Sequence, residues 1–427
     1  MEKILKNRFG VKNVLRWTGK GSLAVVDQAL FAGSNFLLSI LLARWLTPAE
    51  YGAFAVGFSI FLLLSTFYTA LIIEPMLVFG AGKYDTGFFK YMRSLISGHW
   101  IITAAVSFVL LIVSGVFWRL GNVQLAQALL GLVLSTPFIL KVWLLRRAFY
   151  VHSEPFFSAV GGFLYLVLMT AGLYALYQAG ALSPLTGFGV VGLVSALTGL
   201  FLQRMLDARI RLKDGPIESS MVVAEHWQYG KWMVATYGVV WLRDNIYYLI
   251  LPLWLSLEAS AALRAVMNFI LPMVSFNTAI AIFLLPMFAK AYHSAGVRQL
   301  RKKMLLAGIF YFLCTVVYWL VLYCARGTLF NLFYGNGYSG YAHLLGMAGS
   351  IPVILGVTQV FNNALRVMGC TEKIFWAYML TGVLVLTFGT FLAARGGVSG
   401  AVLGMLISSV AMAVVVMVVY IRASKAI

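Results

Sequence analysis

Charge is scarce in this chain, and acid is scarcer still: of 427 residues only 11% are charged, with 13 Asp plus Glu against 32 Lys plus Arg. Soluble domains run at about 25% charged and about 45–50% apolar, whereas AVILMFWYC residues make up 62% here. That supply cannot cover a water-facing surface, so a soluble enzyme is excluded. A disordered chain, which needs low hydrophobicity, is excluded with it. Cysteine is sparse too. Cys314, Cys324 and Cys370 form neither a CxxC pair nor a Cys/His cluster, so they read as small buried hydrophobes rather than disulfide partners or zinc ligands. No Walker A glycine loop occurs, which argues against ATP hydrolysis by this chain. The five histidines (His99, His152, His226, His293, His343) are scattered, without an acid at ligand spacing, and read as loop or interface residues. No small-residue cleavage site closes a short apolar core near the basic N-terminus, so the first apolar stretch reads as an uncleaved span.

What the chain has is long apolar runs. A helix crossing about 30 Å of hydrocarbon needs roughly 20 mostly apolar residues. Twelve such segments fall near 22–43, 52–73, 95–117, 123–145, 156–178, 184–205, 231–253, 258–285, 304–325, 344–366, 373–393 and 399–421. Turn chemistry marks most breaks: Thr47-Pro48, Gly80-Ala81-Gly82, Gly335-Asn336-Gly337 and Gly396-Gly397. Pro75 is expected to end the second span, and Pro252 the seventh, before a tight turn that Glu258 helps to restart. The runs are too long and continuous for barrel strands. The expected fold is an all-α polytopic membrane protein.

The basic residues give the orientation. With the N-terminus inside, 26 of the 32 Lys and Arg fall in inner loops or ends, and four (Arg44, Arg119, Arg326, Arg395) fall outside. Arg243 and Arg264 remain within spans. So one-sided a split predicts twelve crossings with both termini cytoplasmic, and it accounts for the net charge of +19 without nucleic acid. The longest polar stretch, Gln203 to Gln228, divides the spans six and six. This predicts an N-lobe at 1–205, a cytoplasmic linker at 206–229 and a C-lobe at 230–427, the layout of a transporter built from a parallel repeat. A slide of 209 positions lays ARWLTP (43–48) on PLWLSL (252–257) and Ser34-Asn35 on Arg243-Asp244.

Ionisable groups inside spans cost about 2.5–3.5 kcal/mol each at the helix centre and so become site candidates. Arg243 and Asp244 lie near the middle of the seventh span. They form either an internal ion pair that glues helices, or a cation facing a cavity with an acid that tunes it or relays a proton. Tyr237, Trp241, Asp244 and Tyr248 share one helical face, suited either to a sugar-bearing ligand or to ordinary packing. Arg264, with Asn268 one turn on, either snorkels to the outer interface or lines a cavity. Asp27 sits about one turn inside the first span as a capping acid or a coupling group, and Glu74 closes the second. Lys141, Arg146 and Arg147 end the fourth span as snorkelling cations or phosphate contacts.

Three stretches carry a family resemblance. ILLARWLTPAEYGAFAVGFSI (40–60) resembles the polysaccharide-transporter pattern of a basic-apolar pair followed by a Pro/Glu-Tyr-Gly turn. IIEPMLVFGAGKY (72–84) and AALRAVMNFILPM (261–273) are similar to that family as well, with Leu263 in place of its usual aromatic. The family is the O-antigen flippase-like branch of the multidrug/oligosaccharidyl-lipid/polysaccharide (MOP) exporter superfamily. The resemblance implies twelve helices in two six-helix lobes around a central cavity that opens alternately to either side. It implies a polyprenyl-pyrophosphate-linked oligosaccharide as cargo, moved from the inner to the outer leaflet of the cytoplasmic membrane for envelope polysaccharide synthesis.

Arg243, Arg264 and Arg147, with Asn268, Tyr237 and Tyr248, are then the expected cargo contacts, since guanidinium groups replace the hydration a pyrophosphate loses. Asp244, Asp27 and Glu74 are the candidate acids for H+ or Na+ coupling. No cofactor, metal or catalytic residue is expected. The expected partners are the lipid-linked substrate, membrane lipids and other polysaccharide-assembly proteins. Two other readings are a cation-coupled drug exporter, which would want unsatisfied acids, and a membrane-embedded polymerase or ligase, which would want a large polar outer loop.

Overall fold

A computed structural model describes residues 2–151, 154–209, 219–335 and 337–425, with side chains described from Ser22 onward apart from those at 24, 209, 219, 282 and 283. Among these residues the backbone is helix and turn, with no strand. The helices are α1 (Glu2–Trp45), α2 (Pro48–Gly80), α3 (Phe88–Arg119), α4 (Val123–Val151), α5 (Pro155–Gln178), α6 (Pro184–Arg209) and α7 (Ser219–Trp254). α8 begins as Leu257–Asn268 and resumes at Leu271. The helical run from Leu271 to Cys324 is broken at Ala295 and Gly296, the latter at φ 61°, so 271–294 completes α8 and 297–324 is α9. A short helix, Arg326–Tyr334, leads to α10 (Ser339–Val367). Gly397, at φ 58°, separates α11 (371–396) from α12 (398–425). Glycine suits both breaks because it enters the left-handed region without a Cβ penalty.

Nine helical stretches among the described residues are long and apolar enough to span a membrane. The breaks at Gly296 and Gly397 each turn one into two, and α7, with Arg243 and Asp244 at its middle, is the twelfth segment. Exposed apolar side chains such as Ile101 and Phe108 on α3 have no protein neighbour to cover them, which suits lipid as the outer solvent. The same setting explains the cysteines, which are not buried as expected: Cys324 is exposed, and Cys314 and Cys370 are half-buried. In a bilayer an apolar residue needs no protein core.

The fold forms two compact units, 1–41 with 61–235 and 42–60 with 236–427. The polar stretch read as a linker is helical at both described ends, in α6 and in the first turns of α7. Its centre, 210–218, lies outside the described residues, as do His152 and the side chains of the six N-terminal basic residues.

Helix starts follow local chemistry. At Thr47-Pro48-Ala49-Glu50 the Thr47 amide donates to Glu50 Oε2 (3.0 Å) while the Glu50 amide donates to Thr47 Oγ1 (3.3 Å), a reciprocal capping box with proline at the first helical position. Ser183 and Thr186 repeat the device before α6.

Pro75 does not end its helix, whereas α7 stops at Trp254, two residues past Pro252, close to where that proline was expected to end it. Pro75 was expected to close the second span, yet α2 passes through a π-turn at Thr69–Ile73 and continues to Gly80. A proline at position i has no N–H for the carbonyl at i−4, and in hydrocarbon that carbonyl needs another donor. Three times a side chain from a different helix supplies it. His226 Nδ1 lies 2.8 Å from the Leu71 carbonyl, opposite Pro75. Ser107 Oγ donates to Val133 (3.0 Å), opposite Pro137, and Ser260 Oγ donates to Tyr248 (3.0 Å), opposite Pro252.

Candidate functional site

In the first unit the charged centre is built on Asp27, in the middle of α1 and 1% exposed. Arg146 of α4 donates to Asp27 Oδ1 through Nε (3.2 Å) and a terminal nitrogen (2.7 Å), and the Tyr150 hydroxyl donates to Oδ2 (2.7 Å). The guanidinium stands 4.2 Å from the Phe31 ring centroid. Asp27 is therefore not a cap but one half of a buried ion pair. Its partner is Arg146, while the neighbouring Arg147, the expected phosphate contact, is exposed and only approaches the Tyr150 ring at 5.7 Å. These adjacent arginines diverge because consecutive helical residues point about 100° apart.

At one end of this unit α7 meets α2, α3 and the loop between them. Glu225 pairs with Lys83 and accepts from the Tyr84 hydroxyl at 2.9 Å. The hydrogen bond to Lys83 holds the Glu225 carboxyl below its ordinary pKa, and the same contact raises the Lys83 ammonium. His226, 4% exposed, has Nε2 2.7 Å from the Tyr91 hydroxyl, and burial lowers its pKa. His99 is fully buried as well, with Nδ1 3.0 Å from the Tyr68 hydroxyl, so both histidines stand at contacts between helices. Glu74 is half-buried, within electrostatic reach of Tyr229.

In the second unit Arg243 and Asp244 pair with each other, Nε to Oδ1 at 2.7 Å and a terminal nitrogen to Oδ2 at 2.9 Å. Arg243 is nearly covered (11%), whereas the Asp244 side chain is 49% exposed. The Tyr378 ring of α11 lies 5.5 Å from the guanidinium. The aromatic stripe on α7 divides. Trp241 is buried and donates to the Ser59 carbonyl (3.0 Å), Tyr248 is buried beside it, and Tyr237 is half-buried. Trp241 and Tyr248 therefore pack inside the unit.

Arg264 is 5% exposed, with its guanidinium 4.5 Å from the Phe58 centroid and 5.9 Å from Tyr248. Asn268 is fully buried and donates to the hydroxyls of Tyr51 and Tyr334, both at 3.1 Å. In this conformation both residues stand inside an aromatic wall. Two of the resemblance-bearing stretches, 40–60 and 261–273, thus pack on each other, helped by Gly52, where a Cβ would strike the Leu257 carbonyl. The third, 72–84, carries Pro75, Lys83 and Tyr84 of the junction with α7. Among the described residues no group of three His, Cys, Asp or Glu side chains could hold a metal ion.

Searched against family models, the sequence matches none, and no curated protein is detectably similar to it. Its structure is similar to solved transporters. A multidrug-resistance MATE family transporter of the MOP superfamily, in an inward-facing conformation, aligns over 94% of this chain and 99% of its own, with a TM-score of 0.76 and 14% identity. The lipid II flippase MurJ in its inward closed conformation aligns over 95% and 90%, with a TM-score of 0.72 and 14% identity. The eukaryotic MATE transporter AtDTX14 aligns over 96% and 98%, with a TM-score of 0.65 and 15% identity. The fold is thus similar to that of a class of solved transporters, and among the described residues it is all-helical, with nine stretches long and apolar enough to span a membrane. Within that class, drug exporters and a lipid flippase share it.

Proposed function

We propose that this chain is a flippase for a polyprenyl-pyrophosphate-linked oligosaccharide, carrying the headgroup from the inner to the outer leaflet of the cytoplasmic membrane by alternating access, with both termini cytoplasmic. The observation that carries the reading over a drug exporter is the state of the deep acids. Asp27 and Asp244 are each neutralised by an arginine, Arg146 and Arg243 respectively. A cationic drug is drawn to carboxylates that lack a counter-ion; Asp27 is enclosed, and Asp244, though half exposed, already carries Arg243 as its counter-ion. An anionic headgroup instead meets guanidinium groups, which bind pyrophosphate with charge-assisted, bidentate hydrogen bonds.

Roles then divide by exposure. Arg243 is the central cargo contact, reached when pyrophosphate displaces the Asp244 carboxylate; half-buried Tyr237 on the same helix and exposed Arg147 of α4 are each further candidate contacts. Arg264, Asn268 and Tyr248 hold the aromatic wall and meet cargo only when that wall opens. Coupling to H+ or Na+ is assigned first to Asp244, whose side chain is half exposed, ahead of Glu74 and of Asp27, which is already held by three hydrogen bonds. The lipid tail stays in the bilayer throughout.

The test is transport in proteoliposomes loaded with a fluorescent polyprenyl-pyrophosphate oligosaccharide. Wild-type protein moves it across leaflets, and Arg243→Ala slows it at least tenfold while the protein remains folded. Asp244→Asn leaves binding intact and changes the ion dependence. Export of a cationic dye with no movement of the oligosaccharide would replace this reading with the drug exporter.

A further inference from the structure

α9 and α12 meet at one end of the second unit, where Leu300 and Met304 of α9 share a buried cluster with Tyr420 and Ala423 of α12. Just outside that cluster a terminal nitrogen of Arg301 donates to the Ser424 hydroxyl at 3.2 Å, bridging the two helices. Ser424 Oγ spends its own proton on the Ile421 carbonyl at 3.1 Å, which leaves the oxygen free to accept from the arginine. The guanidinium is therefore held across the seam. A guanidinium carries five N–H donors in a planar fork, and among the described residues Ser424 is the one acceptor bonded to this exposed arginine.

The surroundings are cationic. Lys302 follows Arg301, Arg422 and Lys425 flank Ser424, and all three are exposed. The one acid among the described residues at this end of the unit is Glu372, at the start of α11 and beside Lys373. Both helices also change character at the same level. The exposed face of α9 passes from Arg301 and Lys302 to Leu305 and Leu306 within one turn, and that of α12 passes from Arg422 to Ile421 and Val418. Uncovered apolar side chains suit hydrocarbon, so the cations stand where lipid headgroups begin. Helix stability does not account for Arg301 and Lys302, because positive charge near a helix start opposes the dipole. The one-sided charge split accounts for their side of the membrane, but not for an arginine fixed between two helices with most of its fork open.

We propose that the α9–α12 seam binds an anionic glycerophospholipid from the leaflet at that end, which the charge split predicts to be the cytoplasmic one. Arg301 gives two parallel N–H donors to the phosphate, Ser424 holds the fork in place, and Arg422 and Lys425 add attraction. The acyl chains lie on the uncovered apolar faces of the two helices. A free phosphate ion has no chains to use those faces, and a zwitterionic headgroup would bring its own ammonium against the cations. The site stands on the geometry of the second unit alone and holds whatever the cargo.

The experiment is native mass spectrometry of the full chain released from micelles that contain equal amounts of phosphatidylglycerol and phosphatidylcholine. Wild type should retain phosphatidylglycerol over phosphatidylcholine by about tenfold, and excess inorganic phosphate should not displace it. Arg301→Gln should lower retention about fivefold or more. Arg301→Lys keeps the charge without the fork, and Ser424→Ala keeps the charge without its anchor, so each should lower retention about threefold. Arg326→Gln, beyond the opposite end of α9, should leave it unchanged. Melting temperatures of the variants in the same micelles show that they are folded. Equal retention of the two lipids, displacement by inorganic phosphate, or a loss in Arg326→Gln as large as in Arg301→Gln would overturn the site. So would full retention in Arg301→Lys or in Ser424→Ala, which would reduce it to unspecific surface charge.

Discussion

Asp27 and its two neighbouring arginine candidates show how finely a single position matters. Arg146 and Arg147 are indistinguishable by residue type, yet one lies against a carboxylate 119 residues away and the other points to the surface. Removing one partner of a buried pair leaves an uncompensated charge and costs about 3–5 kcal/mol. Arg146→Ala should therefore lower unfolding stability in detergent by several kcal/mol, whereas Arg147→Ala, away from any buried partner, should stay within about 0.5 kcal/mol of wild type. Thermal unfolding of the two variants side by side checks this, and equal losses would refute the assignment of Arg146 as the partner of Asp27. The choice of arginine was beyond local reading because helical periodicity gives a direction around one axis, not the identity of the helix met there.

Among helices, the recurring motif is an interior proline answered by a side chain from another segment. Pro75 and Pro252 look like helix ends in the sequence, since the chain itself offers no substitute donor. The structure finds one elsewhere, and α2 runs on to Gly80, while α7 still ends at Trp254, two residues after Pro252. Ser260→Ala should orphan the Tyr248 carbonyl at a cost of about 1–3 kcal/mol, toward the lower end if the membrane-embedded reference state finds other partners. The informative variant is the double mutant: Pro252→Ala restores an N–H to the same carbonyl, so Ser260→Ala should cost far less in that background. Equal cost in both backgrounds, measured by chemical unfolding in micelles, would mean the serine matters for some other reason. Helix starts, by contrast, were plain in sequence. Thr47-Pro48-Ala49-Glu50 is a four-residue device whose hydrogen bonds close within the motif itself.

For the molecule as a whole, charge placement makes a topological claim. With 26 basic residues on one side and four on the other, reporter fusions should place 81–87 and 368–370 inside and 120–122 and 179–183 outside, with both ends cytoplasmic. A GFP fused after residue 427 should fluoresce, and a phosphatase inserted at 121 should be active. The reverse pattern would invert every loop and remove the inner-leaflet starting point from the proposed transport.

The helical nature of the spans and their approximate number were legible in the sequence alone, as was the side on which its charges predict the loops to lie. Each depends on a cost that adds up residue by residue: apolar area against water, backbone groups against hydrocarbon, cations against a membrane surface. Sums of local terms need no knowledge of neighbours. Partnership is a different quantity. Asp27 to Arg146, His226 to Leu71 and Asn268 to Tyr51 join residues 119, 155 and 217 positions apart. A buried polar group gains stability only from the atom that reaches it, and which atom reaches it is decided when the helices pack.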